Sequence, residues 1–129
     1  MSETARRLVW IGPSEKGYLR CPAAVQAAFF ERLNLARAGV REISGAKPLA
    51  QGILKGRGVV ELIVDFDRDS YRLAYTTKLP GVLAVLHVFK KKSKSGIDTP
   101  LHEARLIRNR YREAVRLYGK RERRRGRYE

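Results

Sequence analysis

The stretch VLAVLHVFKKKSKSG, residues 82–96, constrains the fold more than any other. Residues 82–89 are apolar at both alternating sets of positions, which is typical of a central strand covered on both faces. Four lysines then occupy five positions, with no turn residue between the strand and the lysines. We therefore expect a sheet built around this strand, with a cluster of cations at the strand's end.

The segment VVELIVDFDRDSYRLAYTT, residues 59–77, predicts a β-hairpin with a polar turn at 67–70. With Phe66 opposite Tyr71, Asp65 lies opposite Arg72, and Glu61 lies opposite Thr76. This pairing separates apolar and polar side chains onto two faces. The apolar face carries Leu62, Val64, Phe66, Tyr71, Leu73 and Tyr75. The polar face carries Glu61, Asp65, Arg72, Ala74 and Thr76.

Short patterns predict the remaining elements. A strand is expected within 6–12, and a helix with its first turn at Pro22 is expected to end at Gly39. A short helix or irregular segment is expected in 41–52. A last helix follows Thr99-Pro100. Two sets of residues recur at helical spacing: Val25, Phe29, Leu33 and Ala36 in the first long helix, and Ala104, Ile107, Tyr111, Val115 and Tyr118 in the last.

The chain length of 129 residues suits one domain. We predict a single domain over residues 1–118 and a basic, flexible tail over 119–129. The formal net charge is +15, and the tail accounts for only part of it. Such an excess favours a polyanionic partner, because each phosphate neutralised by Lys or Arg releases a counterion. Nucleic acid is the first candidate, and an anionic membrane surface is the second.

Cysteine and histidine are scarce: one Cys and two His. This excludes an internal disulfide and a Cys/His zinc pattern. The start of the chain lacks the long apolar core of a signal peptide, and no segment reads as a membrane span. We expect a cytoplasmic protein with no metal and no cofactor.

The ordered set DSYRLAYTTKLPGVLAVLHVFKKKSKSGIDTP, followed by the basic helix LHEARLIRNRYREAVRLY, resembles the phage-derived, HigB-like branch of the RelE toxin superfamily. The resemblance covers roughly residues 8–118. It implies an α+β fold: a small twisted antiparallel sheet with N-terminal helices and a C-terminal helix, the helices packed on one face. It also implies a toxin of a type II toxin–antitoxin pair.

Such toxins are metal-free endoribonucleases that cut messenger RNA, many of them on the ribosome. A helix-turn-helix antitoxin that binds DNA silences them, so contact with DNA is expected only through the antitoxin. The RNA's own 2′-hydroxyl is the nucleophile, and the protein must position it, offset charge on the phosphate and move two protons.

Arg72 is the first catalytic candidate, because it matches the arginine that the family places near the scissile phosphate. A guanidinium can contact two phosphate oxygens at once. The alternative is a cross-strand ion pair with Asp65. A nuclease site requires Arg72 to lie near Lys90–Lys92 and outside the hydrophobic interior.

Lysines supply the expected RNA-binding surface. Lys91 best matches the basic position after the family's last strand and is the catalytic candidate, while Lys90, Lys92 and Lys94 are expected to bind RNA. The alternative for this run is a solvated strand end that resists edge pairing. Two arginines on one flank of the last helix, beside Arg116, are added to the RNA-binding set: Arg105 and Arg112.

Proton transfer has two candidates. His87 is one, because histidine is the usual proton shuttle near neutral pH, although alternation groups it with Leu83, Val85 and Phe89 on an apolar face, where it would be a core residue. Glu61 shares the face of Arg72, and its alternative role is as the partner of a nearby cation. His102 is expected on the surface.

Tyrosine side chains are expected to pack in the core rather than to stack on bases. The competing function is a non-catalytic RNA-binding module on the same scaffold. Binding to a membrane surface ranks last, because the single Trp10 falls in a strand rather than on an amphipathic helix.

Overall fold

The computed structural model describes residues 5–91 and 98–119. The predicted tail therefore lies, from residue 120 on, outside the described residues. The elements in chain order are strand β1 (Arg7–Trp10), helix α1 (Ser14–Leu19), helix α2 (Ala23–Arg37), strand β2 (Ala46–Pro48), a 3₁₀ turn (Gly52–Leu54), strands β3 (Val59–Phe66), β4 (Asp69–Thr76) and β5 (Val82–Lys91), and helix α3 (Leu101–Tyr118).

The strands form one five-stranded sheet in the order β1-β5-β4-β3-β2. Strand β5 lies inside the sheet, as its apolar sequence predicts, and pairs with β4 on one side and β1 on the other. Strand β1 runs parallel to β5, whereas all the other pairs are antiparallel. The α+β class is confirmed, and the sheet is mixed rather than wholly antiparallel.

Helices cover both faces of the sheet. On one face, α3 packs over Val59, Ala74 and Ala84. On the other, α2 packs over Leu62, Leu73 and Val85. The arrangement with all helices on one face is therefore wrong. Because β5 is apolar on both sides, each side needs a cover that removes it from water.

The hairpin of β3 and β4 has the predicted faces but a different register. Phe66 pairs with Asp69, and the turn contains only Asp67 and Arg68, both at positive φ (52° and 73°). Arg72 lies opposite Ile63 rather than Asp65. The shift from the predicted pairing is two residues, so every side chain keeps its face.

Strand β5 contains a bulge opposite the junction of Ala74 and Tyr75. His87 pairs with Ala74, and Val85 pairs with Tyr75, which leaves Leu86 as the extra residue. The predicted grouping of His87 with Val85 is therefore wrong. The bulge reverses the alternation and places His87 on the face covered by α3.

The helices with strong apolar spacing are confirmed. Residues Val25, Phe29, Leu33 and Ala36 of α2 are buried, as are Ala104 and Ile107 of α3. Weakly patterned segments were mispredicted. Residues 14–19 form α1, where no element is predicted above, and 41–52 contains the short edge strand β2 rather than a helix. Within the described ranges, no helix has the length and apolar character needed to cross a bilayer.

We predict that Arg68→Gly raises the free energy of unfolding by about 1 kcal/mol, because the left-handed backbone at this position strains any residue with a Cβ. Urea unfolding measures the change. Arg41→Gly is the matched control: it also removes an exposed arginine, but from a residue without positive φ, and should not stabilise. Equal effects of the two substitutions would contradict the turn geometry.

Candidate active site

Arg72 and Glu61 form a buried ion pair on the sheet face that α3 covers. Arg72 Nη1 lies 3.2 Å from Glu61 Oε1, and Arg72 Nε donates to Ser70 Oγ at 3.1 Å. Arg72 is 4% exposed and Glu61 is 0% exposed, so the expectation that Arg72 lies outside the interior is wrong. Glu61 is a diagonal neighbour across the β3–β4 ladder, within reach of a long side chain. Arg72 therefore forms an ion pair with Glu61, and the alternative of a cross-strand ion pair with Asp65 is wrong.

The same carboxylate ties the start of α3 to the sheet. Thr99 Oγ1 donates to Glu61 Oε2 at 3.0 Å, so both carboxylate oxygens have a partner. Burial raises the pKa of Glu61 above its ordinary value, against the opposing effects of Arg72, Thr99 and Lys47. Two charges taken out of water in this way are stable only as a pair, because either one alone would be left uncompensated.

His87 lies between two charged side chains of α3. Its Nε2 is 2.6 Å from Glu103 Oε1, and its Nδ1 is 3.1 Å from Arg110 Nη1. Arg110 also donates to the Leu86 carbonyl at 3.1 Å. With Nδ1 accepting from the guanidinium, Nε2 carries the proton that is donated to Glu103. The ring is therefore held in one orientation and stacks on Phe89.

Burial lowers the pKa of His87, and this effect exceeds the opposing attraction of Glu103; the charges of Arg110 and His102 also lower it. The neutral imidazole is therefore the form that the fold favours. A neutral histidine can accept a proton, but here its accepting nitrogen already faces Arg110.

The lysines at the end of β5 separate onto opposite faces. Lys91 lies across from Ser70 on the face of Arg72, and its ammonium donates to the Asp98 carbonyl at 2.7 Å. Lys90 lies across from Tyr71 on the α2 face, and its ammonium is 3.6 Å from Asp69. The predicted single cluster is therefore divided, since successive residues of a strand point in opposite directions.

The remaining candidates fall into two groups. Arg105 and Arg112 are exposed on α3, and their contact with RNA stays a prediction. Lys92 and Lys94 lie outside the described residues. Four candidates share the α3 face of the sheet: Arg72, Lys91, His87 and Glu61.

Sequence reasoning missed the α3 side chains that contact His87. Glu103 and Arg110 are seven residues apart and therefore on one side of the helix, next to the apolar stripe of Ala104 and Ile107. That position was a usable signal for groups directed at the sheet. The Ser70 and Thr99 hydroxyls gave no comparable signal, because their partners depend on the hairpin register.

At the outer edge of this arrangement, Lys91 can bind a negatively charged group. The covered groups, Glu61 and His87, are poorly placed to transfer protons. Lys91 is partly exposed, whereas Arg72, Glu61 and His87 are covered. A cleft of about 410 Å³ adjoins them, with Lys47, Asp98 and Thr99 among its lining residues. In the described part of the chain, no three side chains of His, Cys, Asp or Glu converge as metal ligands do.

Residues 18–112 match the model of a family described as phage-derived protein Gp49-like (DUF891). The matched region runs from α1 into α3, well over half of the chain, and includes every candidate above that the structure describes. The family is toxin-like and related to RelE. A search among curated proteins gives no match to this sequence.

We predict that His87→Gln flattens the dependence of stability on pH below about pH 6.5, the ordinary pKa of histidine. In the unfolded chain, His87 takes up a proton as the pH falls through this value, while the fold resists protonation, so the wild type loses stability as the pH falls. Urea unfolding between pH 5 and 7.5 measures the slope.

His102→Gln is the matched control, because the His102 side chain is 74% exposed, against 11% for His87. The control should keep the wild-type slope. An unchanged slope in His87→Gln would show that another group causes the pH dependence.

Proposed function

This chain belongs to the phage-derived Gp49-like family, and on that premise we propose that it is the toxin of a type II toxin–antitoxin pair and an endoribonuclease that cleaves messenger RNA. The observation that carries the proposal is the family match over residues 18–112. The common face of Arg72, Lys91, His87 and Glu61 supports it.

The proposed reaction begins with attack of an RNA 2′-hydroxyl on the adjacent phosphorus. The bond to the 5′-oxygen breaks, and the products are a cyclic phosphate and a 5′-hydroxyl end. The nucleophile loses a proton and the leaving oxygen gains one, and the proposal assigns both transfers to side chains of the protein. Fixed positive charge beside the phosphate stabilises the crowded transition state.

The candidate residues act at different depths. Lys91 is the group placed to contact a phosphate, because it is partly exposed at the end of β5. Arg72 is more buried than Lys91, and Ser70 links the two residues. The Ser70 hydroxyl accepts a hydrogen bond from Arg72, and Ser70 is paired with Lys91 in the β4–β5 ladder. Glu61 and His87 are the proposed proton-transfer groups, and both need the cover of α3 and Thr99 to shift before they can touch RNA.

The proposed partners follow from the resemblance to the HigB-like branch of the RelE toxin superfamily. They are messenger RNA, the ribosome on which it is translated, and a helix-turn-helix antitoxin, with DNA bound only through that antitoxin. The proposed compartment is the cytoplasm. The net charge of +15 suits a ribosome-bound enzyme, since ribosomal RNA presents a dense array of phosphates.

A non-catalytic RNA-binding module is the second candidate. This function is favoured because the buried groups already bond to one another and not to a substrate. Arg72 is paired with Glu61, and His87 is held between Glu103 and Arg110. Such a protein would keep the cationic surface and lack cleavage.

We predict that induced expression of the wild-type chain arrests bacterial growth and that Lys91→Ala relieves the arrest, with RNA cleavage reduced about 100-fold, a typical effect of losing one group that stabilises transition-state charge. Growth curves at matched protein level measure the effect. Lys91 is preferred to Arg72 as the test site, because truncating Arg72 leaves Glu61 buried and unpaired.

Lys55→Ala is the control, since it also removes a lysine, but one that is exposed after the 3₁₀ turn and outside the strands of the sheet. It should arrest growth like the wild type. Unimpaired growth with soluble wild-type protein would reject the toxin and favour the binding module.

A further inference from the structure

The division of the lysine run leaves Lys90 on the face opposite the proposed site. There it lines a cleft of about 330 Å³, together with Gly17, Arg20, Cys21, Tyr71, Val88 and Phe89. This volume is at the lower end of the range for small-ligand sites. The cleft is formed where α1 meets the ends of β4 and β5.

Two cations stand at this cleft. Arg20, the residue after α1, is exposed and has no ion pair with any residue in 5–91 or 98–119. The Lys90 side chain is 44% exposed, and its one ion pair within those ranges, with Asp69, is long at 3.6 Å. A surface pair of this kind is weak, so a phosphate can compete with Asp69 for the ammonium.

Tyr71 supplies an aromatic ring to the same cleft. It is partly buried, and it packs against the apolar core beneath α2 while still lining the cleft. A ring that packs against the core and also lines a cleft can stack on a nucleobase. Cations beside an aromatic platform are the combination that single-stranded RNA uses.

The wall formed by α1 depends on a glycine. A Cβ at Gly17 would lie 3.0 Å from the Val88 carbonyl oxygen and 3.2 Å from the Val88 Cβ. The helix therefore approaches β5 closely. Cys21 is held in the same wall, where its thiol donates to the Gly17 carbonyl at 3.5 Å. The cleft thus has a packed floor, and its charged groups lie at the rim.

We infer that this cleft is a binding site for one nucleotide of single-stranded RNA, with the base on Tyr71 and the flanking phosphates on Arg20 and Lys90. It lies on the α2 face, so a strand held here passes over the end of β5 to reach Lys91 on the α3 face. The inference rests on the proposed function for the identity of the RNA strand, but it concerns binding alone.

The test uses a fluorescent 2′-O-methyl RNA decamer, which lacks the nucleophile and is not cleaved. Fluorescence anisotropy gives its affinity for the full-length protein at several salt concentrations. Arg20→Ala and Lys90→Ala should each lower the slope of log affinity against log salt by about 0.7, the value for one phosphate contact with a single strand. Arg41→Ala removes an exposed arginine outside the cleft and should leave the slope unchanged.

Tyr71 is tested by a pair of variants. Tyr71→Ala should weaken binding about tenfold with an unchanged salt slope, whereas Tyr71→Phe keeps the ring and should bind like the wild type. Far-ultraviolet circular dichroism checks that each variant is folded. If Tyr71→Ala is unfolded, the slopes of Arg20→Ala and Lys90→Ala still decide.

The inference is overturned if Arg20→Ala and Lys90→Ala keep the wild-type slope, or if Arg41→Ala lowers it equally. If the wild type cuts RNA but Arg20→Ala and Lys90→Ala keep its salt slope, only the proposed binding site in the cleft is refuted. If the variants show the expected salt slopes but the wild type does not cut RNA, only the proposed nuclease activity is refuted.

Discussion

The pairing of Arg72 with Glu61 is the interaction on which the α3 side of the molecule depends. A guanidinium and a carboxylate are buried there between the sheet and the start of α3, and their free energy is tolerable only because each neutralises the other. Ser70 and Thr99 satisfy further hydrogen-bonding positions. Removing the Arg72 guanidinium would leave the Glu61 carboxylate buried without its ion pair, and the hydrogen bond from Thr99 joins this carboxylate to the start of α3.

A second polar contact lies further along the same helix. Glu103 and Arg110 hold His87 from both ring nitrogens, and the bulge at Leu86 is what brings the histidine to this face. Helix α3 is thus held to the sheet by the Thr99–Glu61 hydrogen bond just before its start and by the contacts of His87 along its length. For a nuclease, these contacts stabilise the covered state of the groups proposed for proton transfer, whereas Lys91 remains at the edge.

The faces of the hairpin were predictable, but its register was not. Alternation in β3 and β4 assigns Arg72 to the polar face whenever the pairing shifts by an even number of residues. The register error of two residues therefore did not change the predicted face of any side chain. The tight turn at Asp67 and Arg68 has no glycine or asparagine to mark it. The bulge in β5 had no sequence signal either, so the face of His87 was mispredicted. The partners of His87 come from α3, whereas Arg72 is paired within the hairpin, with Glu61 and Ser70.

The common face of Arg72, Lys91, His87 and Glu61 and the family match are the two findings that a nuclease mechanism has to use. The most direct test is to sequence RNA ends that carry a 5′-hydroxyl in cells soon after induction of the wild-type chain. The account predicts new 5′-hydroxyl ends within translated messages, paired with cyclic-phosphate ends upstream. Growth arrest with intact messages, or new ends carrying a 5′-phosphate, would contradict it.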